Sequence, residues 1–408
     1  MKKLIAISVV FALVAGAVFA ADVSGTVIGT VNVIKGDNGD GTPVTSGGEM
    51  NRIRVEVSGA NDDETFGGYI RLDPASLSWD DKKESNGVPN PGYGKVKGFG
   101  NGVEGIAWWK PIDQLKFSIG GNSDGMFGKE GVTGWMFNQT AADTGVTFCG
   151  DNVWTGSGLY GYGLVTRNAF YGGFAGQGAI LNITPAEIVD INIAIPFISG
   201  DVVDGKNSKA DEGQHEAADY FKAAHFQLDF KLDFGNIAIT YSGGPRYYEY
   251  GDGSVVFAYF GLTAIENLSL DVGLGFEFNN QDSSKNPIAA GFGLKYAVDA
   301  FGIKVRTIGR FGGEDKTPTV IQADLLPFYN VSDSVRAFFG IGLGVLLPDS
   351  GDTLMGFNVN PYLEVGQEWG PKFVAGIKVL SLAGDAEHGK YDKSAMTWSV
   401  PIALSVSF

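Results

Sequence analysis

Acid–base chemistry in this chain could draw on only three histidines, His215, His225 and His388, and thiol chemistry on the single Cys149. A nucleophilic triad needs a serine, a histidine and a carboxylate that the fold can bring together, and the spacing of these three histidines suggests no such set. Cys149 has no partner for an internal bridge, which excludes a disulfide framework. The stretch "GDNGDG" at 36–41 has the beginning of a calcium loop but lacks the closing glutamate, so it reads as a turn. "GLYGYG" from Gly158 opens no helix and cradles no phosphate. "RYYEY" at 246–250 could stack on a sugar or simply mark a rim. No enzyme, metal site or cofactor is expected.

The side chains that do recur with a usable spacing are basic. Arg52 and Arg54 in "NRIRVEVSG", Arg71, Lys304, Arg306 and Arg310 in "FGIKVRTIGRF", and Arg336 each alternate with apolar neighbours, as do Lys295 and Lys378. On an extended chain such residues share one face. There they could impose a field on passing solutes, or they could pair with carboxylates such as Glu56, Asp73 and Asp324; the two readings are compatible.

Strands are the elements that must position them. "HFQLDFKLDF" at 225–234 places Phe226, Leu228, Phe230, Leu232 and Phe234 on one face and Gln227, Asp229, Lys231 and Asp233 on the other. "LSLDVGLGFEF" at 268–278 and the closing "WSVPIALSVSF" at 398–408 sort in the same way. Pro361 and Pro401 fall inside two of these segments, where each removes a ladder donor. Connections alternate as well. Short links such as "AIEN", "DA", "YNVSD" and "QEWGP" take turns with long polar ones such as "NNQDSSKN" and "AGDAEHGKYDKSA". Half-buried sandwich strands also alternate, but short turns at one end and long loops at the other define an up-and-down barrel that crosses a bilayer.

The rest of the chain agrees. "MKKLIAISVVFALVAGAVFA" has two lysines, an apolar run and small residues at 18 and 20, which predicts a secretory signal over 1–20 cut after Ala20; an anchor helix would need a longer apolar run. Residues 21–408 then form one barrel domain with long extracellular loops. Losing Lys2 and Lys3 takes the formal charge from −16 to −18, which argues against nucleic acid as a partner. With 61 glycines and 12% aromatic residues, the composition is that of a large all-β protein. About eighteen strands are expected, with sixteen the next candidate. Twenty would follow if the long link at 121–166 hides a hairpin. Trp108, Trp109, Phe234, Phe328, Tyr329, Trp369 and Phe408 sit near predicted turns and suit an interfacial girdle.

The leader, the alternating strands and the terminal Phe408 resemble those of bacterial outer-membrane porins, over essentially the whole mature chain. Leader and glycine-rich style also resemble outer-membrane proteins of spirochaetes. The porin resemblance implies an outer-membrane location reached through the periplasm, contact with lipid, and a water-filled channel for ions and small hydrophilic solutes. It implies Phe408 as part of a signal for the barrel-assembly machinery, leaves a homotrimer open, and makes Asp124, Lys129, Glu130, Asp143 and Asp151 candidates for a loop that narrows the pore. A barrel that acts as a surface adhesin or structural protein is the alternative.

Overall fold

The computed structural model describes residues 20–37, 45–72, 77–80, 103–127, 174–196, 224–243, 254–278, 288–311, 319–347, 353–366, 371–383 and 395–407. Among them the chain runs through twenty strand segments. The first eight are β1 (Ala20–Asp37), β2 (Thr45–Ala60), β3 (Phe66–Leu72), β4 (Leu77–Asp80), β5 (Val103–Ile112), β6 (Leu115–Phe127), β7 (Phe174–Ala186) and β8 (Val189–Pro196). Six more follow as β9 (His225–Leu232), β10 (Gly235–Ser242), β11 (Ser254–Leu262), β12 (Leu268–Phe278), β13 (Ile288–Val298) and β14 (Phe301–Phe311). The last are β15 (Thr319–Ser332), β16 (Val335–Leu347), β17 (Leu354–Gly366), β18 (Lys372–Gly376), β19 (Lys378–Ala383) and β20 (Ala395–Ser407).

Every pairing is antiparallel, and β1 also pairs with β20, from Thr26↔Ser407 to Asp37↔Thr397, so the sheet closes on itself. β3 and β4 lie along the same neighbour, β2, and β18 and β19 lie between β17 and β20 in one continuous register. The twenty segments therefore make eighteen staves of a closed up-and-down barrel. Closure pairs the first stave with the last and so removes the two terminal edges that an open sheet would present to solvent or lipid.

The split between β18 and β19 has a cause in the sequence. Ile377 donates its amide to the Pro361 carbonyl on β17 at 2.9 Å, but Pro361 has no N–H to return. On the other side the register carries Pro401 of β20 opposite Gly376, and again one donor is missing. β1 answers Pro401 with an irregularity between Asn32 and Ile34. Both prolines thus remain in strands, in the register the alternation predicts, at the cost of two ladder bonds.

The described connections at one rim are short: residues 61–65, 113–114, 187–188, 233–234, 263–267, 299–300 and 333–334. Asn267 and Asp299 turn with φ of +64° and +52°, which short polar side chains tolerate. Two boundaries differ from the sequence expectation. β15 continues through Tyr329, Asn330, Val331 and Ser332, so the turn is Asp333–Ser334; and the turn before Gly235 is Asp233–Phe234. The longer links lie outside the described residues.

Burial alternates along the staves. In β12, Val272, Leu274 and Phe276 are exposed on the outer surface while Asp271, Gly273 and Gly275 are buried inside. Across the barrel the outer surface carries Trp109, Phe117, Ile119, Phe226, Ile239, Phe357, Leu363 and Leu404, all exposed. An apolar belt of this extent on a closed barrel is the outer face of a transmembrane one.

Candidate functional site

The inward faces collect the charged and amide side chains into separate clusters. On β2, β3 and β5, Arg71 donates from Nε to Glu56 at 2.7 Å and from Nη1 to Glu104 at 3.1 Å. Tyr69 donates to the same Glu56 oxygen at 2.8 Å, with Arg54 3.7 Å away from it. Glu56, Tyr69, Arg71 and Glu104 meet because β2 pairs with β3 as Glu56↔Arg71 and β3 with β5 as Arg71↔Glu104.

A second group is uncharged. Asn182 donates to Asn192 at 2.6 Å, Asn192 to Gln227 at 3.1 Å and Gln227 to Thr240 at 3.2 Å, so one chain of bonds crosses β7, β8, β9 and β10. Towards the short-turn rim, Thr184 donates to Asp190, which also meets Lys231 at 2.5 Å. Fixed donors and acceptors in series polarise one another.

The third cluster is on β14, β15 and β17. Arg306 donates twice to Asp324 Oδ2, at 3.0 Å and 2.6 Å, and Gln322 adds a third bond at 2.9 Å. Arg306 and Asp324 are each only 2% exposed, and Asn358 is fully buried. Nearer the short turns, Arg336 pairs with Glu364. Phe338 stacks on Tyr362 at a centroid distance of 4.5 Å and meets Phe328, tilted, at 5.8 Å, so three rings run across β15, β16 and β17, with Lys304 over Phe328 and Arg336 over Phe338.

Of the basic residues singled out by alternation, Arg54, Arg71, Lys304, Arg306 and Arg336 therefore lie on the inner face. The side chains of Arg52 and Arg310 lie outside the described residues. So do the side chain of Asp124 and the whole of Lys129, Glu130, Asp143, Asp151 and Phe408. The alternation of charges placed Gln227 on the inner face but did not single out Asn182, Asn192, Asn358 and Asn360, although each shares parity with a neighbouring inward residue.

Two girdle assignments are corrected. Trp109 does point outward, stacked on Phe117 at 6.0 Å. Trp108 points inward, where its indole lies across Gly67 and takes Lys110 and Lys116 over its ring. Phe328 likewise belongs to the inner stack, because it shares parity with Asp324 and Gln322, and Tyr329 is the outward neighbour. The inner wall is also partly apolar, with Phe257, Ala238, Tyr259, Ala289 and Ile308 in one buried cluster.

No family model and no curated protein matches the chain. Solved structures do. OccAB2 of Acinetobacter baumannii superposes with a TM-score of 0.50 at 9% identity, over 94% of this chain and 98% of that one. OccK5 (OpdH) of Pseudomonas aeruginosa gives 0.49 at 10% identity, over 94% and 98%. An anion-selective porin from Comamonas acidovorans gives 0.48 at 11%, over 96% and 100%. The closed eighteen-stave wall, apolar outside and polar within, has the fold of a porin-type outer-membrane barrel.

Proposed function

We propose that this chain is a bacterial outer-membrane porin, a passive channel for ions and small hydrophilic solutes that carries out no catalysis. One observation carries the reading: closed antiparallel staves turn an apolar belt outward and gather their arginines, carboxylates and amides inside. Side chains such as Arg71 and Glu104 would be costly against lipid and are suited to an aqueous interior. In this reading the leader over residues 1–20 directs export to the periplasm, residues 21–408 form the barrel, Phe408 serves the assembly machinery, and the subunit can form trimers. The segment 121–166, with Asp124, Lys129, Glu130, Asp143 and Asp151, would narrow the lumen opposite the arginines.

Planar-bilayer recording of the refolded, purified chain tests this directly. Reproducible conductance steps, with a reversal potential in a salt gradient that gives ion preference, are the expected outcome. A second reading has its own support, since Arg306, Asp324 and Asn358 are buried and part of the inner wall is packed. A barrel that folds in detergent but never conducts would be a surface adhesin or structural protein instead. A chain freely soluble without surfactant would end both readings.

A further inference from the structure

We propose that Lys110, Lys116 and Trp108 form a binding site for a small divalent oxyanion of the phosphate class, at the short-turn mouth of the barrel. The proposal extends the porin reading by naming a solute class that the lumen would hold.

The inner wall treats its cations in two ways. Arg54, Arg71, Arg306, Arg336 and Lys231 each lie against a carboxylate. Lys110 and Lys116 do not: among the described residues their only partner is the Trp108 ring, whose centroid lies 5.3 Å and 5.1 Å from the two ammonium nitrogens. They lie just beyond the Trp109↔Phe117 pair, on β5 and β6, where the register between these strands is irregular, and both reach the one indole ring. Two like charges drawn to one ring repel, and the ring face offsets only part of that repulsion.

Trp108 is packed against β3. A Cβ at Gly67 would lie 2.5 Å from Trp108 Cζ2, so the indole is seated where β3 has a glycine to receive it. The hydroxyl of Ser118, opposite Trp108, is on the same face, as is the amide of Asn182, opposite Lys116. Two ammonium groups held about one ring, with a hydroxyl beside them and, among the described residues, no acid to neutralise them, match an anion that carries two charges and several acceptor oxygens.

Inorganic phosphate is the probe, and its ³¹P line width is measured in the presence of detergent-solubilised, refolded full-length protein. The expected result is broadening by the natural chain, loss of broadening in the Lys110→Gln/Lys116→Gln double variant, and its recovery in Lys110→Arg/Lys116→Arg, with heat-modifiable gel mobility retained. Sulfate should displace phosphate where nitrate at equal ionic strength does not. Equal broadening by natural and double-variant chains would overturn the site, and so would equal displacement by nitrate, which would mean a diffuse field. Should the double variant not fold, Lys110→Gln alone is measured with the same two outcomes. Because binding is read in solution, a chain that binds phosphate without conducting keeps the site and loses the pore, and one that conducts without binding loses only the site.

Discussion

Three N–H donors converge on Asp324 Oδ2, two of them from Arg306, in a place that water scarcely reaches. Desolvating both charges costs much of what their attraction returns, so the pair is worth less than it looks while either half alone is a liability. Urea unfolding in lipid vesicles should show Arg306→Met weakening the barrel by about 3–5 kcal/mol, and the double change Arg306→Met/Asp324→Leu standing much nearer the natural chain. Gly235 makes a different demand. Its φ is +150°, and a Cβ there would overlap the carbonyl oxygen of Gly261 on β11. Gly235→Ala is expected to lower stability by about 1–3 kcal/mol, read as an earlier unfolding midpoint. Neither environment is written in the residues alone: an arginine next to an outward apolar residue has the right face, but only the register Arg306↔Asp324 gives it a partner. Trp108 and Trp109 show the same limit. Adjacent tryptophans beside a turn must point opposite ways, and the parity of Trp108 with Glu104 and Lys110 was the signal that settles which one enters the lumen.

At the scale of the strand, alternation was legible almost everywhere, because side-chain period two leaves no other way to sort "LSLDVGLGFEF" between lipid and lumen. Its outward half can be tested with a charge. Leu274, 54% exposed on the outer face, should tolerate Arg poorly, with a loss of about 2–4 kcal/mol if it sits near the bilayer midplane, read as a lower urea midpoint. The prolines were legible as donors lost, yet their joint effect was not, because it depends on β17 and β20 flanking the same stave. Pro361→Val would return an amide towards the Ile377 carbonyl and is expected to add about 1 kcal/mol, seen as a higher urea midpoint. The long links were legible as polar and glycine-rich but carry no period from which a conformation could be argued.

For the molecule as a whole, the count of eighteen followed from the rhythm of short and long connections, and closure from the shared parity of the two terminal strands. That closure can be trapped. Thr26 Oγ1 and Ser407 Oγ are 3.4 Å apart across the β1–β20 seam. With Cys149→Ser to remove the natural thiol, Thr26→Cys/Ser407→Cys should oxidise to a ring of nearly the full chain, whose unfolded form migrates differently before and after reduction. Failure to cross-link in a correctly folded preparation would place the two strands apart. The missing ladder bonds at Pro361 and Pro401 carry a mechanical corollary. A cantilever drawing the protein from its bilayer by the carboxyl end should extract β20 together with β18 and β19 at a lower rupture force than the hairpins that follow, since the stave between the two prolines is the least firmly stitched part of the wall.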